Sequence, residues 1–379
     1  MDKLLLIPGP SPVVPRILAA LALPTVSHVS PDMVRDLGTA LENLKKIVFC
    51  RDGEAFLIAG AGTLAMEIAL LNTAGSNDRL LILSQGFFGD RMVQVAKSFG
   101  LTPDVIRSPW GRIVSPEVLA RALQAKPYTV VVCTLVDTGT GACAPVRDYA
   151  DALRGRDALF IVDGVCATGG IAERMDDWGI DVILTAAQKC FGAPPGLAID
   201  VFSPRAMDKR RSLTSVPGYY TDILRWLPVM KDPARYFSTP CVNELRAFAE
   251  ATRIIMEEGI EARFRRHART GAALRAGLCA LGFGLFTDES CLAATLSVVR
   301  YPEGIDDPTF RGQLAENGVV MAGGLGDTAG QVFRMGHMGN LTEAQVFQAL
   351  EAVEKTLKAL GRSFESGLSR TAAAAVLSR

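Results

Sequence analysis

Histidine is scarce in this chain: 379 residues hold only His28, His267 and His337. A histidine-rich metal site or a histidine-dependent catalytic triad is therefore not expected, and no metal is assigned. The eight cysteines (50, 133, 143, 166, 190, 241, 279 and 291) are scattered and form no C-x-x-C pair. Neither a zinc site nor a dithiol redox motif has support. Most of these cysteines sit in apolar runs, as small buried thiols do. No apolar stretch approaches the ~20 residues of a membrane span. The run Leu4-Leu-Leu-Ile7 is too short for the core of a signal peptide. Forty basic residues balance forty acidic ones, so no broad attraction to nucleic acid or an anionic membrane is expected. Reduced thiols and the lack of an export-type signal point to the cytoplasm.

What is present is the pattern of an α/β protein. An apolar fraction of 49% with 21% charge is ordinary for a globular chain. Short strand-like runs alternate with helical spacing from about residue 16 to 300, which predicts a mainly parallel sheet. The clearest buried strands are 129–135, 159–163 and 181–185. Residues 197–202 read as a returning strand, possible in the antiparallel sense. A long helical pattern from 244 to 258 leads towards a smaller α+β region with strands near 292–299, 319–321 and 332–334. Residues 342–360 read as its closing helix. The expected division is an N-terminal arm (1–20), a large domain (21–255), a small C-terminal domain (256–361) and a loosely held Ser/Ala-rich tail (362–379).

Chemistry concentrates at the ends of the buried strands. Lys189 follows the run Val182–Leu184 and precedes a loop stiffened by Pro194 and Pro195. An amine placed there sits in a cleft rather than on a solvated surface, and desolvation makes it a nucleophile towards carbonyls. Asp163 ends the strand 159–163, and ligands of open α/β sheets bind at the carboxyl ends of strands. A lysine and an aspartate so placed are the two polar groups that pyridoxal 5′-phosphate (PLP) chemistry requires. Gly60-Ala-Gly-Thr-Leu-Ala65 fits G-x-G-x-x-A between a strand and a helix, a phosphate-binding turn. A dinucleotide reading wants an acid at the end of the next strand, where Ser84-Gln85-Gly86 stands instead. By themselves, Phe87-Phe88 serve either as core or as a stacking platform. Asp137-Thr-Gly-Thr-Gly141 is either a plain polar turn or part of the cleft wall. Arg334, flanked by apolar residues, pairs either with an internal acid or with a substrate carboxylate.

Taken together these segments resemble the class V aminotransferases of PLP fold type I, in particular the alanine–glyoxylate / serine–pyruvate aminotransferase family. The likeness is collinear from about Leu4 to Gly361. It includes Pro-Gly-Pro-Ser (8–11), Ala-Gly-Ala-Gly-Thr (59–63), Gln-Gly-Phe-Phe-Gly-Asp-Arg (85–91) and Thr-Gly-Thr-Gly (138–141). It continues through Val-Asp-Gly-Val (162–165), Gln-Lys-Cys-Phe-Gly-Ala-Pro-Pro-Gly-Leu (188–197), Tyr-Phe-Ser-Thr-Pro (236–240) and Phe-Arg-Met-Gly-His-Met-Gly (333–339). The resemblance implies a large domain with a mainly parallel seven-stranded sheet, a small α+β domain, PLP as cofactor and a homodimer. It implies Lys189 as the Schiff-base lysine and Asp163 as the partner of the pyridine nitrogen. Val165 and Phe88 are implied on the two ring faces, and Ala61, Gly62, Thr63 and Gln188 around the phosphate. Thr140 is implied near the cofactor, and Tyr236 and Thr239 as phosphate contacts from a partner subunit. Arg334 and Gly9 are implied to hold the substrate.

The implied reaction transfers an amino group from alanine or serine to glyoxylate or pyruvate. Alternatives on the same fold are a pyridoxamine or 2-aminoethylphosphonate donor with pyruvate, or a PLP lyase. A non-catalytic binding module is the third class. Ala61 and Ala187 depart from the hydroxyl residues that many relatives carry near the phosphate. Ala61 and Leu325 likewise lack the acid and arginine of the pyridoxamine branch.

Overall fold

The computed structural model describes residues 3–378, so the first two residues of the expected arm and the last of the tail lie outside it. The chain folds around a seven-stranded sheet built from β2 (Glu54–Gly60), β3 (Leu80–Ser84), β4 (Asp104–Arg107), β5 (Val130–Thr134), β6 (Leu159–Asp163), β7 (Val182–Ala186) and β8 (Gly196–Phe202). Their spatial order is β2-β8-β7-β6-β5-β3-β4. All pairings are parallel except those of β8, which runs against both β2 and β7. The returning strand expected at 197–202 is thus antiparallel. β3, β5, β6 and β7 are buried along their whole length. Their continuous Val/Ile/Leu runs follow from having helices on both faces.

A second, separate hydrophobic core lies under a smaller sheet. That sheet comprises β9 (Gly284–Leu285), β10 (Leu296–Arg300), β12 (Ala322–Gly323) and β13 (Val332–Gly336), in the order β12-β13-β10-β9. Phe283, Phe310 and Phe333 pack together there, with ring centroids 5.4–5.7 Å apart. The N-terminal segment crosses to this unit: β1 (Leu4–Leu5) pairs in parallel with β11 (Val319–Val320). The helices Val242–Glu258 and Ile260–Ala280 are separated by Gly259, whose φ of +85° breaks one helix from the next.

The tail is a correction to the sequence reading. Residues Leu368–Leu377 form a helix against Ile260–Ala280 rather than a loose end. The Glu354 carboxylate accepts from the N–H of Gly367 (2.9 Å) and of Ser369 (3.0 Å), capping the helix. Ala373 and Leu377 are buried in the second core. Small residues allow this docking: a Cβ on Gly277 would sit 3.0 Å from the Ser369 carbonyl. The Ala-rich composition that suggested looseness is also the best helix former. Among the described residues no helix is long and apolar enough to cross a membrane.

Candidate active site

The carboxyl ends of β2, β3, β5, β6 and β7 meet at one edge of the large sheet. A cavity of about 200 Å³ opens there, lined by Ala61, Gly62, Thr63, Phe88, Asp163, Val165, Gln188 and Lys189. The fold therefore gathers residues from four separate segments into one cleft. Met66, Arg91, Val136 and Thr138 complete the wall. A larger depression of about 530 Å³ lies elsewhere. Among its charged residues Lys46 pairs with Glu42 and Lys231 with Glu54.

Lys189 Nζ donates to the Pro8 carbonyl at 2.5 Å. Its backbone is fixed independently, because the Ser11 hydroxyl donates to the Lys189 carbonyl at 2.7 Å. Gly9 has to be glycine here. Its φ is +124°, and a Cβ would fall 2.6 Å from Lys189 Cδ and 2.7 Å from Cε. Gly9 thus abuts the lysine side chain.

Asp163 ends β6 with 2% exposure. One oxygen accepts from the Val165 N–H at 3.0 Å, and the other lies 3.4 Å from the Thr134 hydroxyl. Burial pushes its carboxyl up to about 7, and the charge of Asp137 adds to this. It has no cation within salt-bridge distance among the described residues. A cationic ring nitrogen is the partner that such a buried acid lacks.

The helix Gly62–Leu71 starts at Ala61, whose side chain supplies no cap. Its first N–H groups are free for an anion. Gln188 Oε1 is buried on the same cavity without a hydrogen-bond partner. A pyridinium-bearing phosphate ester fits the buried Asp163 carboxyl at one end and the free first-turn N–H groups of Gly62–Leu71 at the other.

Arg334 lies behind the wall, on β13. Nε donates to the Gly323 carbonyl at 2.7 Å and Nη1 to the Thr138 carbonyl at 3.3 Å. Among the described residues no carboxylate pairs with it, so the internal salt bridge is not found. Burial lowers its pKa, as expected for a guanidinium short of anions.

Other expectations meet a different geometry. Thr140 is fully buried and its hydroxyl donates to the Gln85 carbonyl at 3.2 Å, away from the cavity. Thr138 lines the wall in its place, with its hydroxyl 2.8 Å from Cys166 Sγ. The reason is a tight turn: the N–H groups of Thr140 and Gly141 both return to the Asp137 carbonyl. Tyr236 and Thr239 do not line the cavity of their own chain. Tyr236 is 62% exposed and its hydroxyl is 3.1 Å from that of Thr239.

A model of the aminotransferase class-V family matches residues 19–341. The chain is a class V aminotransferase. An uncharacterised aminotransferase of Methanocaldococcus jannaschii is 38% identical over 364 residues, covering 95% of this chain and 94% of that protein. An L-aspartate–glyoxylate aminotransferase of Paracoccus denitrificans is 34% identical, over 95% of this chain and 92% of its own length. The crystal structure of ureidoglycine–glyoxylate aminotransferase from Bacillus subtilis superposes with a TM-score of 0.94 at 29% identity, covering 100% of this chain and 99% of that one. The fold is PLP fold type I, and the cofactor of this aminotransferase is PLP.

One buried acid beside this aminotransferase site escaped the sequence reading. Glu173 is 1% exposed, and neither carboxyl oxygen has a hydrogen-bond partner among the described residues. It stands directly behind Gly164, where a Cβ would lie 3.0 Å from Glu173 Cδ. The nearby Thr168 hydroxyl donates instead to the Gly164 carbonyl at 3.0 Å. Burial pushes the Glu173 carboxyl up from 4.5 to about 8. Between those values the folded state keeps a proton that the unfolded chain releases. Folding stability therefore falls as pH rises through this window, and the loss is complete above it. The gain in stability on replacing Glu173 by neutral Gln is expected to be about 4 kcal/mol larger at pH 9 than at pH 5. Urea unfolding at the two pH values measures this; equal gains at both would disprove the burial argument.

Proposed function

We propose that this aminotransferase moves an amino group from a small L-amino acid, alanine or serine, to a small 2-oxo acid, glyoxylate or pyruvate, in two alternating half-reactions. The observation that carries this reading is Lys189 and Asp163 on one cavity of about 200 Å³, with the carboxylate-free Arg334 bonded to the Thr138 carbonyl behind its wall. That is room for the cofactor and little else. Glyoxylate is also the acceptor in the names of two of the relatives above.

When bound, PLP supplies an aldehyde that condenses with amines and a ring that accepts electron density. The chain's residues supply the rest. Asp163 holds a proton at the ring nitrogen by remaining its buried counter-charge. Phe88 and Val165 confine the ring between an aromatic and a β-branched face. The N–H groups at Gly62 and Thr63, with Gln188, hold the phosphate. Arg334 binds the carboxylate common to amino acid and 2-oxo acid, so both half-reactions use one anchor. Lys189 Nζ would take the proton from the donor's Cα and deliver it to the cofactor's aldehyde carbon, and move a proton the opposite way in the second half-reaction. Pro8 and Gly9 close over that amine and keep its approach narrow.

The protein acts as a homodimer in this reading, with Tyr236 and Thr239 reaching the partner's phosphate. Their exposure at a distance from their own cavity supports that placement. A second donor reading rests on Arg91, which lines the cavity and makes no salt bridge among the described residues. A second carboxylate, as in aspartate, would meet it.

The experiment is the absorbance of the holoenzyme after adding L-alanine, L-serine or L-aspartate without acceptor. Conversion by alanine or serine, reversed by glyoxylate, is expected. Conversion by aspartate alone would replace the donor assignment. Indifference to all three would overturn it.

A further inference from the structure

Asp137 is fully buried and lies on neither the catalytic lysine nor the cavity wall. It nevertheless touches the backbone of two segments that build the wall. One carboxylate oxygen accepts from the N–H of Phe88 at 2.8 Å and from that of Gly89 at 3.3 Å. The other accepts from the Gly139 N–H at 2.8 Å. Phe88 and Gly89 lie in the first turn of the helix Phe87–Ser98, whose own N-cap, Gly86, offers no side chain. First-turn N–H groups have no partner inside the helix. Here the partner comes from the loop after β5, 49 residues away in sequence. Gly86 leaves room for it: a Cβ there would be 2.6 Å from Asp137 Oδ1. The turn that begins at Asp137 presents the Thr138 side chain to the cavity and its carbonyl to Arg334.

We propose that Asp137 is a positioning residue for both substrate and cofactor: its carboxylate fixes the backbone of Phe88, and the turn it closes fixes the Thr138–Arg334 contact. The carboxylate form is required by the donor pattern. Both oxygens face N–H donors, so the amide nitrogen of asparagine would meet a donor in either orientation. The inference is independent of which amino donor the enzyme uses. It rests on Phe88 facing the PLP ring, which one arm of the test examines alone.

The test is a double-mutant cycle on PLP affinity, titrating the apoenzymes of wild type, Asp137→Asn, Phe88→Leu and the double variant. Asp137→Asn and Phe88→Leu are each expected to weaken PLP binding about tenfold, with the double variant no weaker than about Phe88→Leu alone. Multiplying losses in the double variant would overturn the inference, since Asp137 would then act elsewhere. A Phe88→Leu variant with unchanged affinity would refute the ring-face assignment itself. Amide hydrogen exchange in the wild-type apoenzyme supplies a readout that no variant can spoil. Phe88 and Gly89 are expected to be protected, unlike ordinary first-turn amides; fast exchange at both would sink the proposal even if Asp137→Asn failed to fold. The KM for whichever amino acid converts the wild-type holoenzyme should also rise in Asp137→Asn, through the Thr138–Arg334 contact, and an unchanged KM would remove the substrate half.

Discussion

Lys189→Ala is expected to lower turnover by at least about 10³-fold while leaving a folded protein. The fold should survive because the lysine backbone is held by Ser11 through its own carbonyl, not through the side chain. The side chain's only hydrogen bond among the described residues goes to the Pro8 carbonyl. Losing it removes no buried charge pair. What is lost, on the proposed mechanism, is the single amine that both carries the cofactor and moves the proton at the donor's Cα. The bound cofactor should therefore no longer respond catalytically to an amino acid. Adding a small primary amine to the buffer should restore part of the turnover, because the space left by three methylenes and the ammonium group admits one. Steady-state turnover with and without that amine measures both effects. Full activity in the variant would remove Lys189 from the mechanism.

Arg334→Gln should cost about 10²- to 10³-fold in kcat/KM for the amino acid and the 2-oxo acid alike, with PLP affinity nearly unchanged. The guanidinium uses Nε and Nη1 on the Gly323 and Thr138 carbonyls, which aim it. Its remaining terminal nitrogen makes no hydrogen bond among the described residues and is the one available to a carboxylate. Equal losses on both substrates are the signature of a shared anchor. Arg334→Lys should rescue little, because an ammonium cannot hold two carbonyls and a carboxylate in one plane. Losses confined to stability, with KM unchanged for both substrates, would make Arg334 a structural group only.

How much of this was legible in advance depended on how local the cause was. β5, β6 and β7 announce themselves because each is an unbroken Val/Ile/Leu run, the pattern of strands buried on both faces. Lys189 and Asp163 could be found because each follows such a run directly. The helices Pro204–Ser212 and Ile223–Lys231 were not foreseen. The second carries Pro228 inside it, a residue that argues against a helix when no packing is known. Thr138 and Thr140 are each followed by a glycine, and only the tight turn at Asp137 decides which one faces the cavity. Arg91 stood three residues after Phe88, one helical turn on the same face, and that spacing was a usable signal. Glu173 had none, and Asp137 showed only as the start of a polar turn, since their importance comes from neighbours distant in sequence or from burial.

The N-terminal segment gives the two structural units a common mechanical link. Leu4 and Leu5 are clamped to Val319 and Val320 of the smaller unit, while Pro8 touches the amine of Lys189 in the larger one. Only Leu6 and Ile7 lie between, a span of less than about 14 Å even if fully extended. So short a tether has no slack to absorb sliding of one unit over the other. Any displacement of the small sheet is felt at the lysine as a pull on the carbonyl that holds it, so the position of the small unit and the freedom of the Lys189 amine form one coordinate rather than two.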